Sequence, residues 1–206
     1  MSRLRPLTID ELPADLAPVF EGALQVMGFL PNDALTMARK PALLRAMLAL
    51  VQAVYAPGKV PLGLKKLIGL VSSSAAGCQY CVAHTAHTAL ASDIDPRKLA
   101  AVWDYGRSEL FTARERAALD FARASCVVPS EVTDADFAVL RTHYDEESIV
   151  EIVAVIALFG LLNRWNAALA TMLEPEPLAS AIRHLEPLGW SAGMHAPAEP
   201  PDGAES

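Results

Sequence analysis

Apolar residues recur at helical spacing along most of this 206-residue chain, and no stretch alternates in the manner of a half-buried strand. Thr8 followed by Glu11 reads as a capping box for a first short helix. Residues 16–27 are periodic and end at Gly28, and Pro31-Asn32 marks a turn. Asp33 is placed to cap a helix carrying Leu35, Met37 and Ala38. Pro41 suits the first turn of the next helix, whose buried side takes Leu43, Leu44, Met47, Leu48 and Val51. After the loop Ala56-Pro57-Gly58, Pro61 precedes a helix over 62–75. Another starts at or just after Cys78 and runs towards Leu90.

Asp93, Asp95 and Pro96 break that helix and begin one with Leu99 and Val102 inward. Thr112 with Glu115 is a second capping box, leading into 116–124, and Thr133 or Asp134 caps a helix over 136–143. Residues 149–173 form the most apolar segment. Glu151 near its start, with Asn163, Arg164 and Asn166 within it, argues against a membrane span and for a buried helix pair. One more helix is expected over 178–185. The pattern predicts an all-α chain: a single domain over 1–190 and a disordered tail over 191–206, rich in Pro, Ala, Gly and Glu.

Hydrophobic residues make up 52% of the chain and the mean hydropathy is +0.27, which implies buried subunit interfaces. A net charge of -7 and a pI near 5.2 disfavour nucleic acid and anionic membrane surfaces as partners. Three cysteines without a secretory leader argue for a reducing compartment, and a cytoplasmic protein is expected. There a C-x-x-C is redox-active or metal-binding rather than a structural staple.

The chemistry concentrates in Ala76-Gly77-Cys78-Gln79-Tyr80-Cys81-Val82-Ala83-His84-Thr85-Ala86-His87. Gly77 breaks the preceding helix, so both thiols fall in the first turn of the next, where unpaired N–H groups favour a thiolate. Cys78 and Cys81 are neighbours on one face, and His84 lies one turn beyond Cys81. Such a dithiol can close to a disulfide once one sulfur is oxidised to sulfenic acid. A metal reading would use Cys78, Cys81, His84 and His87, but four ligands on one helix cannot converge tetrahedrally. No cofactor is expected. Tyr80 reads as packing with a hydroxyl able to donate to a peroxide, and Cys126 as a small buried hydrophobe. A shift of 85 residues lays Lys66 on Glu151, Cys78 on Asn163, Tyr80 on Trp165 and Cys81 on Asn166, a possible internal repeat. It makes Glu151 a candidate relay carboxylate, while Asn163, Arg164 and Asn166 read as helix contacts.

Gly77-Cys78-Gln79-Tyr80-Cys81-Val82-Ala83-His84-Thr85, with Met27-Gly28-Phe29-Leu30-Pro31-Asn32 and Asn163-Arg164-Trp165-Asn166, resembles the carboxymuconolactone decarboxylase superfamily, in its alkylhydroperoxidase D-like, peroxidase-related branch. The likeness covers roughly residues 10–175. It implies an alkylhydroperoxidase D-like helical bundle and a thiol-dependent hydroperoxide reductase. Cys81 would attack the peroxide, Cys78 would resolve the sulfenate, His84 would move protons, and an external dithiol or protein reductant would restore the enzyme. It also implies a homo-oligomer, a trimer or hexamer. The family motif carries a Glu twelve residues before the first Cys, and this chain has Lys66 there. That lysine either lowers a thiolate pKa or points to solvent. Lactone decarboxylation and a non-catalytic redox sensor are the alternative functions.

Overall fold

The computed structural model describes residues 2–90, 92 and 94–197. Asp93, expected to break a helix, and residues 198–206 of the expected tail lie outside them. The described residues form α1 (Ala17–Met27), α2 (Asn32–Met37), α3 (Pro41–Tyr55), α4 (Leu62–Ala75), α5 (Gln79–Leu90), α6 (Pro96–Ala100), α7 (Ala113–Cys126), α8 (Asp134–His143), α9 (Glu146–Leu169) and α10 (Pro175–His184), with no strand among them. The two expected capping boxes form, Glu11 accepting from Thr8 N–H and Glu115 from Thr112 N–H, both at 2.9 Å. Of the two candidate caps Thr133 and Asp134, Thr133 caps α8, and Asp136 accepts from its N–H at 2.8 Å, so helix-end donors that would otherwise lack partners are satisfied.

Helix α4 is the centre of the bundle, packed on α5, α7 and α9. Its sequence from Leu67 to Ser73 is buried without interruption, so its apolar residues surround it rather than forming one stripe. Gly69 is where α9 crosses closest: a Cβ there would run into the Phe159 ring. Ile149, Ile152, Val155, Ile156 and Phe159 give α9 its inward face.

Several expectations change. The segment 149–173 is not a helix pair but the continuous α9, which ends at Ala170 in a left-handed conformation with φ 46°. Asparagine and arginine weaken a helix too little to break it. Buried Asn163 and Asn166 and exposed Arg164 all fit within it. Among the described residues α9 is the one helix long and apolar enough to cross a membrane by length and composition; it packs on α3, α4, α5, α7 and α8. Asp33 does not cap α2: Pro31 holds that position and Asp33 sits in the first turn. The domain also runs past 190. A 3-10 turn over Gly193–His195 buries His195, whose carbonyl accepts from Leu173 N–H at 2.9 Å. Its ring Nδ1 lies 2.7 Å from Thr171 O. Proline-rich composition concealed a segment held by backbone groups just beyond α9.

Glu151 and its neighbours clamp the loop before α4. The Lys65 ammonium, almost fully buried, lies 2.9 Å from Glu151 Oε2 and donates to Val54 O at 2.9 Å and Ala56 O at 3.1 Å. Glu151 also accepts from the N–H groups of Lys59 and Val60 at 2.8 and 3.2 Å. Removing one partner of a buried pair leaves an uncompensated charge. Lys65→Met should therefore cost about 3–5 kcal/mol in urea unfolding, with far less loss in Lys65→Arg.

Candidate active site

The turn into α5 is built by Gly77. Its φ of +72° is a left-handed conformation that glycine adopts without strain. Cys78 N–H then donates to Ser73 O and Gly77 N–H to Ser74 O, both at 3.0 Å, closing α4 in a Schellman motif. The same turn starts α5, since Val82 N–H donates to Cys78 O at 3.0 Å. Cys78 thus sits at the N-cap and Cys81 one turn on. Both are reduced and buried, 1% and 3% exposed.

The two sulfurs influence each other, and their ionisation is unequal. Donation from the Cys81 thiol, and further donation from His195, outweigh burial and hold the Cys78 pKa down at about 5. Burial first, then the Cys78 charge and Asp33, push Cys81 well above the ordinary thiol value. Thiolate character falls on Cys78, whereas the resemblance assigned the attack to Cys81. On the far side of Cys81, Asn166 Nδ2 lies 3.4 Å from its sulfur and donates to Asp33 Oδ2 at 3.3 Å.

His84 is only partly buried, its side chain 17% exposed. Its Nε2 lies 2.6 Å from Glu174 Oε2, and its ring stacks on Tyr80 at 4.2 Å between centroids. Phe29 meets the ring edge-on at 5.2 Å. Burial pulls the His84 pKa down, but the charges of Glu174, Asp33 and Cys78 outweigh it and the net shift is upward. Burial raises Glu174, and the same pairing with His84, with donors from Asn32 and Tyr80, brings it below its ordinary value. Tyr80 donates to Glu174 Oε1 at 2.7 Å and Asn32 N–H reaches the same oxygen at 2.5 Å. The Tyr80 hydroxyl proton is therefore committed to Glu174 rather than offered to a ligand.

Residues 41–124 match the profile of the carboxymuconolactone decarboxylase family. A variant of the debrominase Bmp8, crystallised with 2,3,4-tribromopyrrole, is 39% identical; the alignment covers 87% of this chain and 96% of that one with a TM-score of 0.82. An uncharacterized peroxidase-related protein from Ralstonia eutropha JMP134, with an alkylhydroperoxidase AhpD core, is 31% identical over 85% of this chain and 94% of its own, TM-score 0.77. The uncharacterized protein YnjA of Escherichia coli is 37% identical over 92 residues, 45% of this chain but only 50% of YnjA. The chain belongs to the carboxymuconolactone decarboxylase superfamily, in its alkylhydroperoxidase D-like branch.

Of the residues expected at the superfamily's dithiol site, Cys78, Cys81, His84 and Tyr80 come together. Lys66 and Glu151 do not join them. Glu151 is bound to Lys65, and the Lys66 ammonium lies 4.2 Å from the centroid of the Tyr55 ring rather than pointing freely to solvent. His87, half-exposed, packs on Phe29 at 5.7 Å. No group of three or more His, Cys, Asp or Glu side chains among the described residues is arranged to hold a metal ion.

The sequence reading missed Glu174, Asp33 and His195 as site residues. Nothing local marks Glu174, which precedes α10 and is 90 residues from His84. Asn166 had a signal. The 85-residue shift laid Cys81 on it, and the two matched positions prove to be in contact.

Alkylation of Cys78 by iodoacetamide, mapped by peptide mass, should rise with pH to half its maximum near pH 5 and stay flat from pH 7 upward, because the thiolate reacts. Cys81 should remain unlabelled at pH 7. Stability carries a second signature. Glu174, depressed, stabilises above its ordinary value of 4.5 and that share is lost as pH falls through its folded value. His84, raised, stabilises fully below 6.5 and loses its share as pH rises through its folded value. Glu174→Gln should therefore lower the melting temperature most between pH 4.5 and 6.5, with a smaller difference on either side.

Proposed function

We propose that the chain is a dithiol-dependent hydroperoxide reductase, using Cys78, Cys81 and His84. The observation that carries this reading is a reduced C-x-x-C at the start of α5, with the Cys78 pKa held down, one turn from a histidine paired with the Glu174 carboxylate. The Cys78 thiolate attacks one peroxide oxygen, the O–O bond breaks, and the departing alkoxide takes a proton from His84. Cys78 is left as a sulfenic acid. Cys81 then forms the S–S bond, and the sulfenic oxygen leaves as water with the Cys81 proton. One hydroperoxide and two thiols give one alcohol, one water and one disulfide, and an external dithiol or protein reductant restores the thiols. Both sulfurs are nearly covered, so a small oxidant enters beside the partly exposed His84. The reaction needs no bound cofactor. A cytoplasmic setting, where reductants are supplied, suits this cycle.

The homo-oligomer implied by the family has a surface on which to form. Exposed Leu43, Ala46, Leu50 and Ala53 make an apolar stripe along α3. The acidic chain is not matched to nucleic acid, and the inward face of α9 supports a core helix rather than a membrane anchor.

A second reading, reductive dehalogenation of a brominated aromatic, is favoured by the 39% identity to a debrominase over nearly the whole of that chain. The balance is similar: aryl bromide and two thiols give the arene, bromide, a proton and the disulfide. Lactone decarboxylation consumes no thiol electrons and leaves the dithiol without a role.

One equivalent of hydroperoxide should remove two hydrogens from the intact mass and link Cys78 to Cys81. Cys81→Ser should stop at a sulfenic acid on Cys78 that dimedone traps, and Cys78→Ser should consume no peroxide. His84→Ala should lower turnover about 10²–10³-fold, the usual scale for a lost general acid. Unchanged turnover in both cysteine variants sinks the dithiol mechanism. Bromide release from tribromopyrrole with no peroxide consumption selects the second reading.

A further inference from the structure

A cleft of about 800 Å³ opens between the C-terminal ends of α4 and α7 and the outer part of α9. Neither Cys78, Cys81 nor His84 lines it. Its walls are mostly small or apolar, among them Ala76, Val128, Ile156 and Leu161. Two side chains break that pattern. Asn163 lines the cleft at 3% exposure, and neither its Oδ1 nor its Nδ2 has a hydrogen-bond partner among the described residues. A buried amide without partners is penalised by about 1–3 kcal/mol per group, so a polar atom that reaches this side chain from the cleft would be favoured.

Arg164 is the one charged residue in the lining, on a protein whose net charge is -7. It donates to Gly160 O at 3.0 Å and makes no ion pair among the described residues. A single cation without an acidic neighbour, an amide offering both a donor and an acceptor, and apolar walls form a complementary set. It matches a compact molecule with one negative head and an apolar body, and the volume suits a ligand of a few rings or a short chain.

We propose that this cleft is a binding site for a small organic monoanion, distinct from the dithiol. The carboxylate or sulfonate pairs with Arg164, the Asn163 amide meets a polar atom, and the apolar body lies on α9 and the end of α4. The proposal does not rest on the peroxidase reading, because no cleft residue takes part in that cycle. The site is nevertheless close to it. Asn163 is one turn before Asn166, whose amide touches Cys81, so occupancy presses on the helix that supports the buried thiol.

The test uses the full-length reduced protein, 2-naphthoate as probe and the neutral 2-naphthylmethanol as control. Cys126 lines the same cleft and serves as a reporter. Saturable one-to-one binding of the naphthoate is expected, with iodoacetamide labelling of Cys126, mapped by peptide mass, slowed at least fivefold at saturation. The alcohol should neither bind comparably nor protect. Arg164→Met should weaken naphthoate binding about tenfold, the scale of one lost charge-assisted hydrogen bond. Asn163→Asp, which sets a negative charge at the wall facing the anion, should weaken it further. Arg164 is exposed, so its replacement is expected to fold, which far-ultraviolet circular dichroism checks. Wild-type affinity in Arg164→Met, or unprotected Cys126 at saturation, overturns the proposal. So does the absence of saturable binding up to about 10 mM, a concentration above any specific affinity of interest. Cys126 shielded without ligand and released by Leu161→Glu, together with loss of an oligomer, would assign the cleft to a second copy of the chain and equally overturn it.

Discussion

The carboxylate of Glu174 receives the backbone N–H of Asn32 at the start of α2 and the hydroxyl of Tyr80 and the ring nitrogen of His84 on α5, two separate parts of the chain. A buried carboxylate is costly unless its lone pairs are met, and here three donors meet them. The consequences run outward. The His84 pKa is raised and its ring fixed in orientation, Tyr80 is locked against that ring, and the start of α2 is tied to the start of α10. The first turn of α5 therefore faces a site whose shape is set by polar bonds as well as by packing.

The unequal sulfurs follow from the same economy of buried charge. Two thiolates side by side in a dry site would repel, so one proton stays between them. The sulfur at the helix start, with His195 beside it, carries the charge, and the sulfur one turn deeper keeps the proton. Asp33 adds negative charge near Cys81 and reinforces that division. The segment after α10 is thus part of the chemistry: it delivers His195 to Cys78 and anchors the ring on Thr171 O.

Bmp8 and the peroxidase-related protein share this scaffold while their names point to different substrates. Removal of a peroxide oxygen and removal of a halide are both two-electron reductions, and a dithiol closing to a disulfide supplies two electrons. In this chain the groups around the pair belong to helix ends, with Asn32 and Asp33 opening α2 and Glu174 preceding α10. The departure at Lys66 is instructive in this respect. The carboxylate that meets the histidine here comes from Glu174, at the other end of the chain, and the lysine has taken up packing on Tyr55.

Local pattern determined the elements. Helical spacing, the two capping boxes and Gly77 located nearly every helix, because those signals act within a few residues. The pairing of Cys78 with Cys81 and the nearness of His84 were legible for the same reason, since positions three apart on a helix face one another. The continuity of α9 was not legible, because polar residues in an apolar run look alike whether they end a helix or line its face. Glu174, Asp33 and His195 were invisible to the sequence. Each acquires its role when distant backbone is folded against α5, and no spacing rule spans 90 residues. Which sulfur bears the charge was likewise decided by tertiary structure, because burial and neighbouring charge set a pKa, and neither exists before the chain is packed.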